Sequence, residues 1–214
     1  MKPISKSFYL LLFYLFTSYA SYGQCVNTPS FGSSAVTESF ELPSSASTSS
    51  TLGPQYRVPI VPCRFYSGVI LTTPDPNTEE QCVLKADFLD GNASWDFCNS
   101  SVTASDVPEG TAYLAVNSET AVLSFTLPVI SSKVGLYVEG TDVCEISGTT
   151  SNTIILTAYD AFNRAIGNCR TLVTGIAANW KDHFIGFNSA TSDIAKITIT
   201  GPYIVIDKLT FDPG

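Results

Sequence analysis

Two carboxylates sit where the sequence otherwise reads as core. The stretch Tyr203 to Phe211 alternates with period two, and Tyr203, Val205, Asp207, Leu209 and Phe211 share one face. Near the start, Val36, Glu38, Phe40 and Leu42 share a face in the same way. A buried, unpaired carboxylate is costly, so each acid needs a cation, a metal or hydrogen-bond donors. Calcium is the metal that suits such groups, because it takes about six to eight oxygens from carboxylates and carbonyls. The competing reading for Asp207 is a turn cap, or an ion pair with Lys208, Lys196 or Arg57. The loop Asp87 to Asp96 (DFLDGNASWD) holds acids and a glycine, but not at the spacing of a calcium-binding EF-hand loop.

A second chemistry is sugar recognition. Sugars stack their C–H faces on aromatic rings while their hydroxyls take polar partners. Trp95 and Trp180 lie in or beside expected loops, with Asp96, Asn179, Asp182 and His183 close in sequence. Tyr159 and Asp160 open an expected hairpin turn. The candidate ligand-binding residues are therefore Trp180, Trp95, Tyr159, Asp160 and His183. The competing reading is that Trp180 and Tyr159 plug one end of a sandwich. Catalysis has less to draw on. There is one histidine, no GxSxG motif and no zinc-type cysteine pair. Hydrolysis by two carboxylates stays formally open among 19 acids, but the chain reads as a binding module and not as an enzyme.

The elements that must position these groups are strands. Val36–Leu42, Gln55–Ile60, Phe65–Thr72, Cys82–Phe88, Thr111–Asn117, Glu119–Leu127 and Lys133–Glu139 read as short strands, parted by proline, glycine and serine turns. Thr153–Tyr159 and Ala165–Val173 form a hairpin through Asp160–Asn163, where Asn163 tolerates a left-handed backbone. Trp180–Phe187 follows as a strand. Ile194–Thr200 and Tyr203–Phe211 close the chain through Gly201-Pro202. No sustained helical period appears, so the expected class is an all-β antiparallel sandwich.

Residues 1–23 read as a secretory signal peptide: Lys2 and Lys6, then an apolar run Phe8–Phe16, then small residues. Cleavage is expected after Gly23, with Ala20 as the alternative, leaving one domain over 24–214. The apolar run is too short to span a bilayer, so no membrane span is expected after cleavage. Losing Lys2 and Lys6 takes the formal charge from −8 to −10, which disfavours nucleic acid. Cys25, Cys63, Cys82, Cys98, Cys144 and Cys169 make an even set, which in a secreted protein implies up to three disulfides. Cys144–Cys169 flank the hairpin and Cys82–Cys98 close a short loop; Cys25–Cys63 then follows by elimination. Asn92 and Asn99 open glycosylation sequons in the 74–108 segment.

One resemblance rests on the order of motifs. Gln55-Tyr56 and Gly68-Val69 come first. Leu123-Ser124-Phe125-Thr126-Leu127-Pro128-Val129 then leads into Val134-Gly135-Leu136-Tyr137. Leu156 to Ala161, Phe184-Ile185-Gly186-Phe187, Ile197-Thr198-Ile199 and Ile206 to Phe211 follow. Over residues 36–212 this resembles secreted bacterial jelly-roll domains related to galactose-binding-like modules, often carried by exported proteins with sorting tails. No such tail follows Phe211, so the protein is expected to be released. The resemblance implies a calcium site between the first and last strands, where Glu38 and Asp207 lie as its metal ligands. The expected function is extracellular, non-catalytic carbohydrate binding with a structural calcium. The alternative is a structural or cell-adhesion role with protein partners.

Overall fold

The computed structural model describes residues 23–40, 55–60, 63–72, 83–87, 106–110, 112–115, 121–140, 152–175 and 177–214. Among them lie thirteen strands: β1 (Gln24–Val26), β2 (Val36–Glu38), β3 (Gln55–Ile60), β4 (Cys63–Arg64), β5 (Ile70–Thr72), β6 (Val83–Asp87), β7 (Ala112–Ala115), β8 (Ala121–Gly140), β9 (Asn152–Tyr159), β10 (Ala165–Val173), β11 (Phe184–Asn188), β12 (Ile194–Gly201) and β13 (Ile204–Pro213). The pairings are antiparallel, except that β3 runs parallel to β7. The all-β, antiparallel, disulfide-linked sandwich expected from the strand pattern is the architecture observed.

The frame of the fold is β8, which serves both layers. Its first half pairs with β5 and β12, as in Leu71↔Phe125 and Ile197↔Phe125. Its second half pairs with β11 and β13, as in Ile185↔Leu136 and Ile206↔Val138. Between the halves the register slips: Lys196 faces Thr126, and Ile194 faces Ser131. Pro128 sits in that interval, where a residue without an N–H cannot hold the ladder. The strand turns a corner there and crosses from one layer to the other. Sequence spacing marked two strands at this place, 119–127 and 133–139; the chain makes one bent strand of 20 residues.

One layer thus runs β10-β9-β12-β8-β5-β4, and the other runs β1-β11-β8-β13 and on through β7 to β3 and β6. Leu123, Phe125, Leu136, Val138, Leu156, Ile197, Ile199 and Ile206 fill the space between them, each with no exposed surface. The β9–β10 hairpin forms as expected, with Asn163 at φ 61° in its turn. The segment Trp180–Phe187 departs from expectation. Ala177–Asp182 is a short 3-10 helix that carries the chain from β10 to β11, and the strand begins only at Phe184.

The two layers are stapled at their open side. Cys25 on β1 bonds Cys169 on β10, with Cα atoms 5.4 Å apart. This overturns both Cys144–Cys169 and Cys25–Cys63. Cys169 points inward, 3% exposed, toward the β1–β11 edge of the opposite layer, where Cys25 pairs with Phe187. The approach is close because Gly167 leaves room: a Cβ there would sit 2.4 Å from the Phe187 ring. Sequence proximity favoured the hairpin partner, but layer packing decides the pair. The side chains of Cys63, Cys82, Cys98 and Cys144 lie outside the described residues.

The last strand carries a bulge that reassigns its faces. Between Asp207↔Tyr137 and Thr210↔Gly135 the register shifts, and Lys208 takes φ 52°. A bulge inserts one residue and reverses the alternation after it. Ile204 and Ile206 face the core before it, and Leu209 and Phe211 face the core after it. Asp207 therefore does not share the face of Leu209 and Phe211, as strict alternation over 203–211 had it. It shares the outer face with Val205 and Tyr137.

Candidate binding surface

The residues singled out as ligand-binding lie at opposite ends of the sandwich. Tyr159 and Asp160 lie at the corner end, beside the β9–β10 turn and the bend of β8. Trp180 and His183 lie at the far end, beside Val173, Gly175 and Glu139. They do not form one site. Trp95, the Asp87–Asp96 loop beyond β6, and both sequons lie outside the described residues.

Trp180 is part of a small second core on the outer side of the β13 layer. It has no exposed surface and meets the Tyr113 ring edge-on, 5.0 Å between centroids. A fully buried ring offers no face to a sugar, so the end-plug reading holds for Trp180. Asp160 is a turn fastener. Its Oδ1 accepts N–H bonds from Phe162 and Arg164, both at 2.9 Å, and its Oδ2 takes the Arg164 guanidinium at 2.6–2.7 Å. The Arg164 backbone N–H, ahead of its guanidinium, holds the Asp160 carboxyl below the usual carboxylate range.

His183 meets an acid that sequence reasoning passed over. Glu139 is completely buried, and its Oε2 lies 2.6 Å from His183 Nδ1. A carboxylate only accepts, so Nδ1 carries the hydrogen. Glu139 Oε1 accepts the backbone N–H groups of Gly140 at 3.0 Å and Gly175 at 2.9 Å. The signal available was Glu139 at the end of an apolar alternation, Val134, Leu136, Val138, but nothing in the sequence brought His183 to it. The hydrogen bond to Glu139 raises the His183 pKa above 6.5, against the opposing pull of burial. A raised histidine pKa gives stability that is full below the unfolded value and lost as pH rises through the folded value. The unfolding free energy should therefore fall on going from pH 6 upward, and His183→Gln should flatten that slope. Thermal melts over a pH series check it.

The expected metal ligands occupy neighbouring strands, yet they face apart. β2 pairs with β13, and Glu38 lies opposite Leu209 on the core side, while the bulge turns Asp207 outward. Glu38 is 5% exposed and accepts N–H bonds from Phe40 at 2.8 Å and Ser67 at 3.2 Å. Asp207 is fully buried and accepts from Glu109 N–H at 2.8 Å and Lys208 N–H at 2.6 Å. Backbone donors thus meet both carboxylates, and each acid ties a turn to a strand. Among the described residues no group of three or more His, Cys, Asp or Glu is placed to hold a metal. Melting with and without EDTA tests the calcium expectation: a fall of several degrees, abolished by Asp207→Asn, would place calcium at this acid, and no fall would leave both carboxylates to their backbone donors.

Among the described residues, one open surface is the outer face of the β10-β9-β12-β8-β5-β4 layer and its corner rim. One cross-strand row reads Thr72, Ser124, Thr198, Thr157, Asn168. The next reads Arg64, Ile70, Thr126, Lys196, Tyr159, Ala165. Beyond that row lie the β4–β5 and β9–β10 turns and the bend of β8, which hold Tyr66 (79% exposed), Phe162 (80% exposed), Val129 and Ile130. Lys196 Nζ lies 4.3 Å from the Tyr159 ring centroid and donates to Asn163 Oδ1. The Arg164 guanidinium lies 5.2 Å from the Phe162 ring centroid. Of the described residues named for sugar binding, Tyr159 and Asp160 lie at this rim, and Asp160 is taken up by its own turn. Phe162 and Tyr66 were missed, because a lone aromatic between turn residues carries no periodic signal. The chain matches no protein-family model and no curated protein, so its surface is the guide to what it does.

Proposed function

We propose that this is an extracellular, non-catalytic carbohydrate-binding module whose working surface is the face bordered by Tyr159 and Phe162. The observation that carries the reading is Phe162, 80% exposed at the hairpin tip, next to Tyr159 on a face whose rows carry Thr126, Ser124, Thr198 and Thr157. Exposed rings supply stacking faces, and Thr, Ser and Asn side chains supply donors and acceptors for sugar hydroxyls. The leader-like residues 1–23 and the Cys25–Cys169 bond support an oxidising, extracellular location. The resemblance to galactose-binding-like jelly rolls points the same way.

The test is a glycan-array screen of oxidised residues 24–214. Phe162→Ala should weaken a saturable hit about tenfold and leave the melting temperature unchanged, since the ring contributes little burial. A blank array with folded protein would overturn the reading. A structural or adhesive role with a protein partner is the second reading. It is favoured by Val129 and Ile130, aliphatic side chains 45% and 50% exposed at the same corner, which sugars do not stack on. Pull-down by a defined extracellular protein, lost on Val129→Ser and Ile130→Ser, would decide for it.

A further inference from the structure

We infer that the ligand of this face is an acidic polysaccharide, a polymer carrying carboxylate or sulfate groups; this rests on the carbohydrate-binding reading above. The chain as a whole is strongly acidic, at −8 with 19 acids against 11 basic residues. Its outer β10-β9-β12-β8-β5-β4 face reverses that sign. Among the described residues, the outward strand positions hold Arg64, Arg170 and Lys196 and no carboxylate. Among the described residues, Asp160 at the rim of this face is 8% exposed and already engaged by Arg164. None of the three cations forms an ion pair among the described residues.

Their spacing suits a polymer rather than a single ion. Arg64 and Lys196 lie on one cross-strand row three strands apart, which is about 14 Å. Arg170 stands opposite Ile155, two strands over and four residues along from the Lys196–Tyr159 row, about 16 Å away. Hydroxyl-bearing Thr72, Ser124, Thr198 and Thr157 fill the floor between. Separated cations on a face that also carries hydroxyl groups match repeated anionic groups along an extended sugar chain, and Tyr159 and Phe162 supply stacking at its margin. The net negative charge of the rest of the molecule then discourages general adsorption of polyanions elsewhere.

The experiment measures binding of residues 24–214 to polygalacturonate, heparin, neutral dextran and duplex DNA by calorimetry. An acidic polysaccharide should bind and dextran should not. Raising NaCl from about 50 to about 500 mM should weaken binding about tenfold or more, because exposed charges are screened. Arg64→Gln/Arg170→Gln/Lys196→Gln should weaken it at least as much. Arg64→Gln/Arg170→Gln alone removes two exposed charges and guards against a folding defect from the half-buried Lys196. Acidic polymer bound equally well by both variants overturns the inference, as does equal binding to DNA. Neutral glycans retained by the charge variants, but lost with Phe162→Ala, overturn the anionic specificity and leave the carbohydrate-binding module standing. No binding to any glycan overturns both.

Discussion

Replacing Cys25 and Cys169 together by alanine should lower the unfolding free energy by about 3–5 kcal/mol. The bond closes a loop of 144 residues, near the upper end of what chain entropy can supply. For a domain of this size each kcal/mol moves the melting temperature by about 2–4 °C, so a fall of about 10–15 °C is expected. The double alanine variant is preferable to reducing agent, since it leaves the other four cysteines as they are. Both alanines fit, because Cys169 is buried in an apolar seam and alanine removes one atom from it. A melt unchanged within about 2 °C would mean that packing across Gly167 and Phe187 already fixes the two edges without the covalent link.

Trp180→Ala should cost about 3–5 kcal/mol, comparable to the loss of the disulfide. The indole is fully buried against Tyr113 and anchors the 3-10 helix beneath the second layer. Its removal strips apolar burial and leaves a cavity that a short helix cannot refill. On a glycan array, Trp180→Ala should lose signal only in proportion to the fraction unfolded. Phe162→Ala, in contrast, should lose affinity with its melt intact. Two aromatic variants thus separate a structural ring from a binding ring, and chemical denaturation beside the array reads both effects. A Trp180→Ala protein with native stability and no glycan binding would return this tryptophan to the ligand site.

The strand pattern was legible because its cause is local. Residues 153–173 show alternation, a polar turn and Asn163, and they fold as the hairpin those features dictate. The faces of β13 were not legible, because a single extra residue at Lys208 reverses the alternation without disturbing composition. Trp180 looked like the first residue of a strand, beside a loop. Only the crossing from β10 to β11 buries it. The Glu139–His183 contact joins residues 44 apart, and the disulfide joins residues far further apart. Such pairs are set by which layers meet, and no spacing rule reports that. The cationic face escaped for a related reason: Arg64, Arg170 and Lys196 are scattered in sequence among 19 acids and come to share one face only through strand order.

The bent β8 also has a consequence for the order of events in time. It lies mid-chain, and its second half stays half-paired until β13, the final strand, arrives beside it. β2, near the start, likewise waits for Leu209–Phe211. Early strands cannot complete either layer by themselves, and pairings between distant segments are slow to form. The nascent chain should therefore stay open, its Cys25 thiol unpartnered, until almost all of it has emerged. Removing β13 should therefore leave both β2 and the second half of β8 without a partner edge and keep the domain from closing.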